Sequence, residues 1–387
     1  MKLPIDLKAV IEAATDIESA RNTPVSVSVL IDDSAPGDVA AHVRSAFVGA
    51  GAHARVTVGY FVGPAFSPYE GDDMAVIVAG FSEEVGRRAA EIRAAGVPVM
   101  VVTSVPRLVA DMASAYGNPI PEGDLVAPEG VEGCEADGDA ACTSGEVAGA
   151  HVGVLAGIRA AKSAGTGAAA GSSGAAASSP DVSDAPIPID AAAAAALDRR
   201  MGEWVVAACR EKRLALALSF PFVRRPLSLE AVSATSLQNA GIGLVLFIPG
   251  ADMPLMTLNQ AKMLLQIAAA YGEPMSAARA KELAAIVGGA FACRSVARQV
   301  AGAVPAIGWA VKAGVGYAGT KAMGLAAVEY FERGGNIAGL AGVVSTATAK
   351  ATQIAGDVAA TPAGARVLST VKAAVRQGAA SVLKKTE

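Results

Sequence analysis

Leu246 to Gly272 read LFIPGADMPLMTLNQAKMLLQIAAAYG, and this stretch restricts the fold more than any other part of the chain. Asp252 stands where a helix N-cap belongs, Pro254 falls in the first turn where proline is tolerated, and Gly272 followed by Pro274 marks the end. At about 100° per residue, the polar side chains Asn259, Lys262 and Gln266 share one narrow stripe. Most of the remaining circumference is apolar. A helix of this kind must be covered by protein, by lipid or by both.

Composition alone does not separate these possibilities. Hydrophobic residues make up 52% of the chain, with a mean hydropathy of +0.42. Aromatics are only 4% while Gly numbers 42, so the apolar content is mostly small and suits closely approaching helices. Ala310, Gly314, Ala318, Ala322 and Ala326 recur every fourth residue, a pattern that lets backbones come close in a membrane or in a compact bundle. Residues 231–251 carry no charge over a length that could span a bilayer, although their first half, AVSATSLQNA, is polar. Later apolar runs are broken by Arg294, Arg298, Lys312 and Lys321. Charge is unevenly distributed: residues 1–195 hold 11 basic and 25 acidic side chains, net −14, and residues 196–387 hold 21 and 11, net +10. A basic, apolar half suits an anionic lipid surface; attraction between two domains of the same chain would give the same asymmetry.

The amino-terminal part has a different rhythm. LKAVIEAATDIESA has an apolar face of Leu7, Val10, Ile11 and Ile17, and no signal peptide is expected from this acid-bearing start. From residue 25 to about 116, strand and helix patterns alternate: VSVSVLI, a helix from Asp38 to Val48, ARVTVGYF, DDMAVIVAGF, the helix SEEVGRRAAEIRAA, then GVPVMVVTS. This predicts an α/β unit with a parallel sheet. Residues 117–195 read as an acidic and then Ala/Gly/Ser/Pro-rich flexible linker, and helical patterns dominate from Ala196 onward.

The chemistry expected of a nucleotide fold is missing. After the first strand, LIDDSAPGDVAAH places Asp38 and Val39 behind Gly37, where a phosphate loop needs a lysine and a hydroxyl residue. At an effective dielectric near 20, like charges about 4 Å apart repel by about 4 kcal/mol, so a carboxylate there opposes phosphate. DDMAVIVAGF lacks D-x-x-G, and Thr103, Ser104 and Val105 stand where a guanine-reading motif would lie. Asp32 and Asp33 could hold Mg²⁺ as in a response-regulator receiver, but the phosphate-accepting Asp after the third strand is absent; a turn is the plainer reading. Cys134, Cys142 and His151 match no zinc spacing. Ser369 and Lys372 formally match S-x-x-K without its companion motifs, and His42 and His53 have no partner signature. Four scattered cysteines fit a reducing compartment. No catalytic residue, metal ligand or cofactor site is assigned.

Ile248, Pro249, Gly250, Ala251, Asp252, Pro254, Thr257 and Gln260, with Tyr271 and Gly272 at the helix end, resemble the motif of the YcjF-like hydrophobic domain, a bacterial family of unknown function often fused behind Era-like GTPase domains. The resemblance covers roughly residues 197–335. It implies a membrane-associated protein at the bacterial cytoplasmic membrane or its cytosolic face, with transmembrane helices and GTPase-linked company; the alternative location is the cytoplasm. The fold class expected is a Rossmann-like or degenerate GTPase-like α/β module plus an all-α carboxy-terminal domain rich in small residues. The divisions are an amphipathic helix at 1–24, the α/β domain at 25–116, the linker at 117–195, the hydrophobic helical domain at 196–357 and a basic amphipathic helix at 358–387. The expected function is a non-enzymatic membrane-associated scaffold or regulator. Its partners would be anionic lipid and other copies through helix self-association, with no nucleic acid. The alternative is a soluble two-domain protein binding a small ligand or nucleotide in the α/β crevice.

Overall fold

The computed structural model describes residues 6–61, 71–128, 186–245, 252–286 and 308–346. The chain opens with α1 (Leu7–Arg21) and continues through β1 (Val25–Ile31), α2 (Gly37–Val48), β2 (Ala54–Tyr60), β3 (Met74–Val78), α3 (Glu84–Ala94), β4 (Val99–Val102), α4 (Pro106–Ala115) and β5 (Leu125–Val126). Beyond residue 186 it is helical: α5 (Ala191–Ala208), α6 (Arg213–Ser219), α7 (Pro221–Val245), α8 (Asp252–Ala270), α9 at 277–286 and α10 (Gly308–Glu332). The five strands form one sheet in the order β2-β1-β3-β4-β5, every neighbouring pair parallel. The expected α/β class with a parallel sheet and a helical carboxy-terminal region is what the structure has.

Alternation along the strands divides the core by parity. Val25, Val27, Val29 and Ile31 of β1, with Met74, Val76 and Val78 of β3, face the side covered by α2, α5 and α6. Leu30, the intervening β3 residues Ala75 and Ile77, and Ala79 just beyond the strand face α3 and α4. A parallel sheet needs both faces covered, and here one cover comes from residues far along the sequence. Leu197, Met201, Trp204 and Val205 of α5 are buried in the same cluster as β1 and β3. Arg200 Nη1 donates to Ala127 O at 2.8 Å, Trp204 Nε1 to Asp124 Oδ1 at 3.3 Å, and Lys212 Nζ pairs with Asp73 Oδ1 at 2.7 Å. The division drawn by composition at 195/196 therefore falls inside a helix that is part of the sheet's own core. Residues 117–128, assigned to a linker for their acidity, supply β5 and its pairing with β4. Residues 129–185 lie outside the described residues.

The second core surrounds α8. Met263, Leu264, Leu265, Ile267, Ala268 and Ala269 are all buried, and packed in the same cluster are Val10, Ala14 and Ile17 of α1 and Met323, Ala327, Val328 and Phe331 of α10. Only Lys262 and Gln266 on this middle stretch are exposed. From Gln260 to Ala270 the helix is covered by protein except at Lys262 and Gln266, whereas Leu255 in its first turn is exposed. Its end is a Schellman motif at Gly272, φ +94°, with Gly272 N donating to Ala269 O and Glu273 N to Ala268 O. Arg21 of α1 donates to the Gly272 and Glu273 carbonyls, and Glu18 accepts from Met275 N. A cation at a helix carboxy terminus is favourable, so α1 is fixed to α8 by charge as well as by its apolar face.

Two expectations are corrected here. No described helix is long and apolar enough to cross a membrane, which overturns the expectation of transmembrane helices there. The uncharged stretch from 231 contains Thr235, Ser236 and Asn239, all buried within the helical core, and an apolar window cannot be drawn through them. The small-residue stripe is also displaced. Ala318, Ala322 and Ala326 are half-buried, whereas Thr320, Met323, Gly324, Ala327 and Val328 form the buried face of α10. Gly324 packs against α7, and a Cβ there would overlap the side chain of Val232.

Residues 1–128 hold 9 basic and 16 acidic side chains, net −7, and residues 186–387 hold 21 and 12, net +9. These oppositely charged parts belong to one compact unit.

Candidate functional site

In a sheet of this order the chain departs to opposite faces after β1 and after β3, and the crevice between their carboxyl ends is where α/β proteins bind ligands. Asp32 follows β1 and is buried. Its Oδ1 accepts from Ser34 N at 3.1 Å; its Oδ2 accepts from Ser34 Oγ at 2.9 Å, Gly80 N at 3.0 Å and Ser82 N at 3.2 Å. Ser34 Oγ in turn accepts from Phe81 N at 2.7 Å. The loop after β1 is thus tied directly to the loop after β3. A Cβ at Gly80 would overlap the Ser34 carbonyl, so only glycine permits this approach.

A second layer lies over the same end of the sheet. In the segment Pro186–Asp190, Ile187 and Ile189 are half-buried while the two prolines are exposed. Ile187 N donates to Ser104 O at 3.1 Å, just beyond β4, and Ile189 N donates to Asp38 Oδ2 at 3.1 Å, in the first turn of α2. Asp38, which stands where a phosphate-binding lysine would be, holds the returning chain instead. Sequence reasoning identified what Asp38 excludes and missed what it does. Its partner lies 151 positions away.

The other candidate residues do not converge. Asp33 is exposed, so the two consecutive carboxylates do not face one site. Among the described residues, no group of three or more His, Cys, Asp or Glu side chains is placed to hold a metal ion. His42 Nε2 lies 2.7 Å from Asp198 Oδ1 and links α2 to α5, whereas His53 is exposed. Cys209 is buried; burial first, then the Asp73 carboxylate, pushes its thiol up to about 12, so the nucleophilic thiolate is suppressed. Cys134, Cys142, His151, Ser369, Lys372 and the basic helix at 358–387 lie outside the described residues.

The motif in the helical half separates into parts. Pro249, Gly250 and the side chain of Asp252 lie outside the described residues; α8 opens at Asp252, with Pro254 in its first turn and exposed. Thr257 and Gln260 are buried. Gln260 Nε2 donates to Thr320 Oγ1 at 2.8 Å, Asn239 Nδ2 donates to the same oxygen at 2.9 Å, and Asn259 Nδ2 donates to Asn239 Oδ1 at 3.1 Å. This polar core joins α7, α8 and α10, and because each buried polar group must find a partner it fixes their register. Tyr271 stacks on Phe331 and donates its hydroxyl to Glu332 Oε1 at 3.2 Å; burial first, then Glu332, pushes the phenol upward. The predicted stripe is divided: Asn259 reaches inward, and Lys262 and Gln266 face solvent. Replacing Lys262 with leucine is therefore expected to shift folding stability by less than about 0.5 kcal/mol, read from the urea midpoint. A loss of several times that amount would place Lys262 against a partner.

No family model, curated protein or solved structure matches the chain. The YcjF-like resemblance accordingly rests on the motif residues alone, of which Gln260 and Tyr271 join α8 to α10.

Proposed function

We propose that this chain is a non-enzymatic scaffold or regulatory protein whose α/β part is a nucleotide-fold-like platform with its ligand crevice closed by the chain itself. The strand order is that of flavodoxin-like doubly wound sheets, which bind ligands at the β1/β3 switch point. The observation that carries the reading is Asp32, which ties the two switch-point loops together with hydrogen bonds to the Gly80 and Ser82 amides. The rival reading, a small ligand or nucleotide in this crevice, requires those bonds to open and Asp38 to release Ile189 in favour of a phosphate. The carboxylate then faces the phosphate and repels it.

The test is calorimetric titration of the full chain with GTP or ATP in the presence of Mg²⁺. No saturable heat is expected at sub-millimolar nucleotide. A clear isotherm, tightened in an Asp38→Lys variant that keeps its fold, would replace the scaffold reading with nucleotide binding at this crevice.

A further inference from the structure

We infer that residues 1–129 and 186–387 are a self-complementing pair: the sheet face lined by β1, β3 and α2 is an interaction surface for the chain's own helical part, competent in trans as well as in cis. Three independent observations converge on it. The surfaces are mutually apolar, with Phe47 of α2 against Phe220 and Phe222 at ring-centroid distances of 5.0 and 5.2 Å, and with Leu197, Met201 and Val205 buried on the strands. The contact is ringed by hydrogen bonds and ion pairs that cross from one part to the other: His42 to Asp198, Lys212 to Asp73, Trp204 to Asp124, Gly51 N to Ser219 O. The parts also carry opposite net charge, −7 on residues 1–128 and +9 on 186–387, which steers association of separate pieces as it would any two proteins.

Thr103 N donates to Val126 O and Ile187 N donates to Ser104 O, so the chain leaves and re-enters this unit beside two consecutive residues at the end of β4. Joining the two parts in one chain through adjacent ends sets their effective concentration on the order of millimolar. Breaking it converts a unimolecular fold into a two-chain assembly that obeys mass action, and a surface of this kind accepts the helical part of another copy equally well.

The experiment keeps every residue and removes one peptide bond: the chain is produced as two co-expressed pieces, 1–173 and 174–387, with an affinity tag on the second. The untagged piece is expected to co-purify in equal amount as a single species near the intact mass of 38.5 kDa. Its urea midpoint should rise with protein concentration, whereas that of the unbroken chain should not. Reassociation after dilution from urea should slow at least tenfold from low salt to 1 M salt. Trp204→Ala should reduce co-purification of the broken form at least tenfold while the unbroken chain still folds. Recovery of the tagged piece alone, precipitation of both pieces while the unbroken chain stays in solution, or a pair indifferent to Trp204→Ala would overturn the inference.

Discussion

Asp32→Ala is expected to lower folding stability by about 4 kcal/mol, measured by urea denaturation of the full chain. The carboxylate is buried and accepts from the backbone amides of Ser34, Gly80 and Ser82 and from the Ser34 hydroxyl. Removing it leaves the buried Gly80 amide and the part-buried Ser34 and Ser82 amides without this partner. Each such donor costs about 1 to 3 kcal/mol, and the sum is reduced by local relaxation. Asp32→Asn keeps the shape but turns an amide NH₂ toward amide donors, so about half the loss is expected. A loss below about 1 kcal/mol in Asp32→Ala would mean that the two switch-point loops are not held by this residue.

Phe220→Ala should cost about 3 to 5 kcal/mol by the same measurement. Phe220 is fully buried between α2 and the start of α7, in contact with Phe47 and Phe222. Its ring belongs to the cluster that contains β1, β3 and α5. The informative readout is where the loss is felt: amides of β1 and β3 should exchange faster in the variant, although Phe220 is almost 150 positions beyond β3 in the sequence. An effect confined to α6 and α7 would show that the helical part does not support the sheet.

Local pattern carried the strands and helices of the amino-terminal part well. VSVSVLI coincides with β1, and the helix expected from Asp38 to Val48 differs from α2 by one residue. Both are set by side-chain period and flanking turns, which are local properties. β5 escaped because two residues paired to β4 leave no periodic signal, and the acidity around them suggested a linker. The roles of Asp32 and Asp38 were half legible. Their charge excluded a phosphate loop, but the partners they hold, Gly80 and Ile189, are distant in sequence and have only backbone N–H groups to offer.

The cover of α8 was left open for the same reason. A helix apolar around most of its circumference states that it must be covered without stating by what. Its cover comes from α1 at one end of the chain and α10 near the other, and no local pattern links them. The opposite charges of the two parts were a clue, with lipid attraction and internal attraction predicting the same composition. The salt bridge of Lys212 with Asp73 favours the internal account.

The central claim is that the sheet and the helices beyond residue 186 form one cooperative unit, in which the apolar surface of the helical half is covered by this chain. The most direct measurement is hydrogen exchange of the full chain in increasing urea, followed at Val27 and Val29 of β1 and at Leu264 and Ile267 of α8. The account predicts that all four amides converge on a single opening transition with the same midpoint and the same slope. Exchange at β1 through one transition while α8 remains protected to a separate, higher midpoint would contradict it.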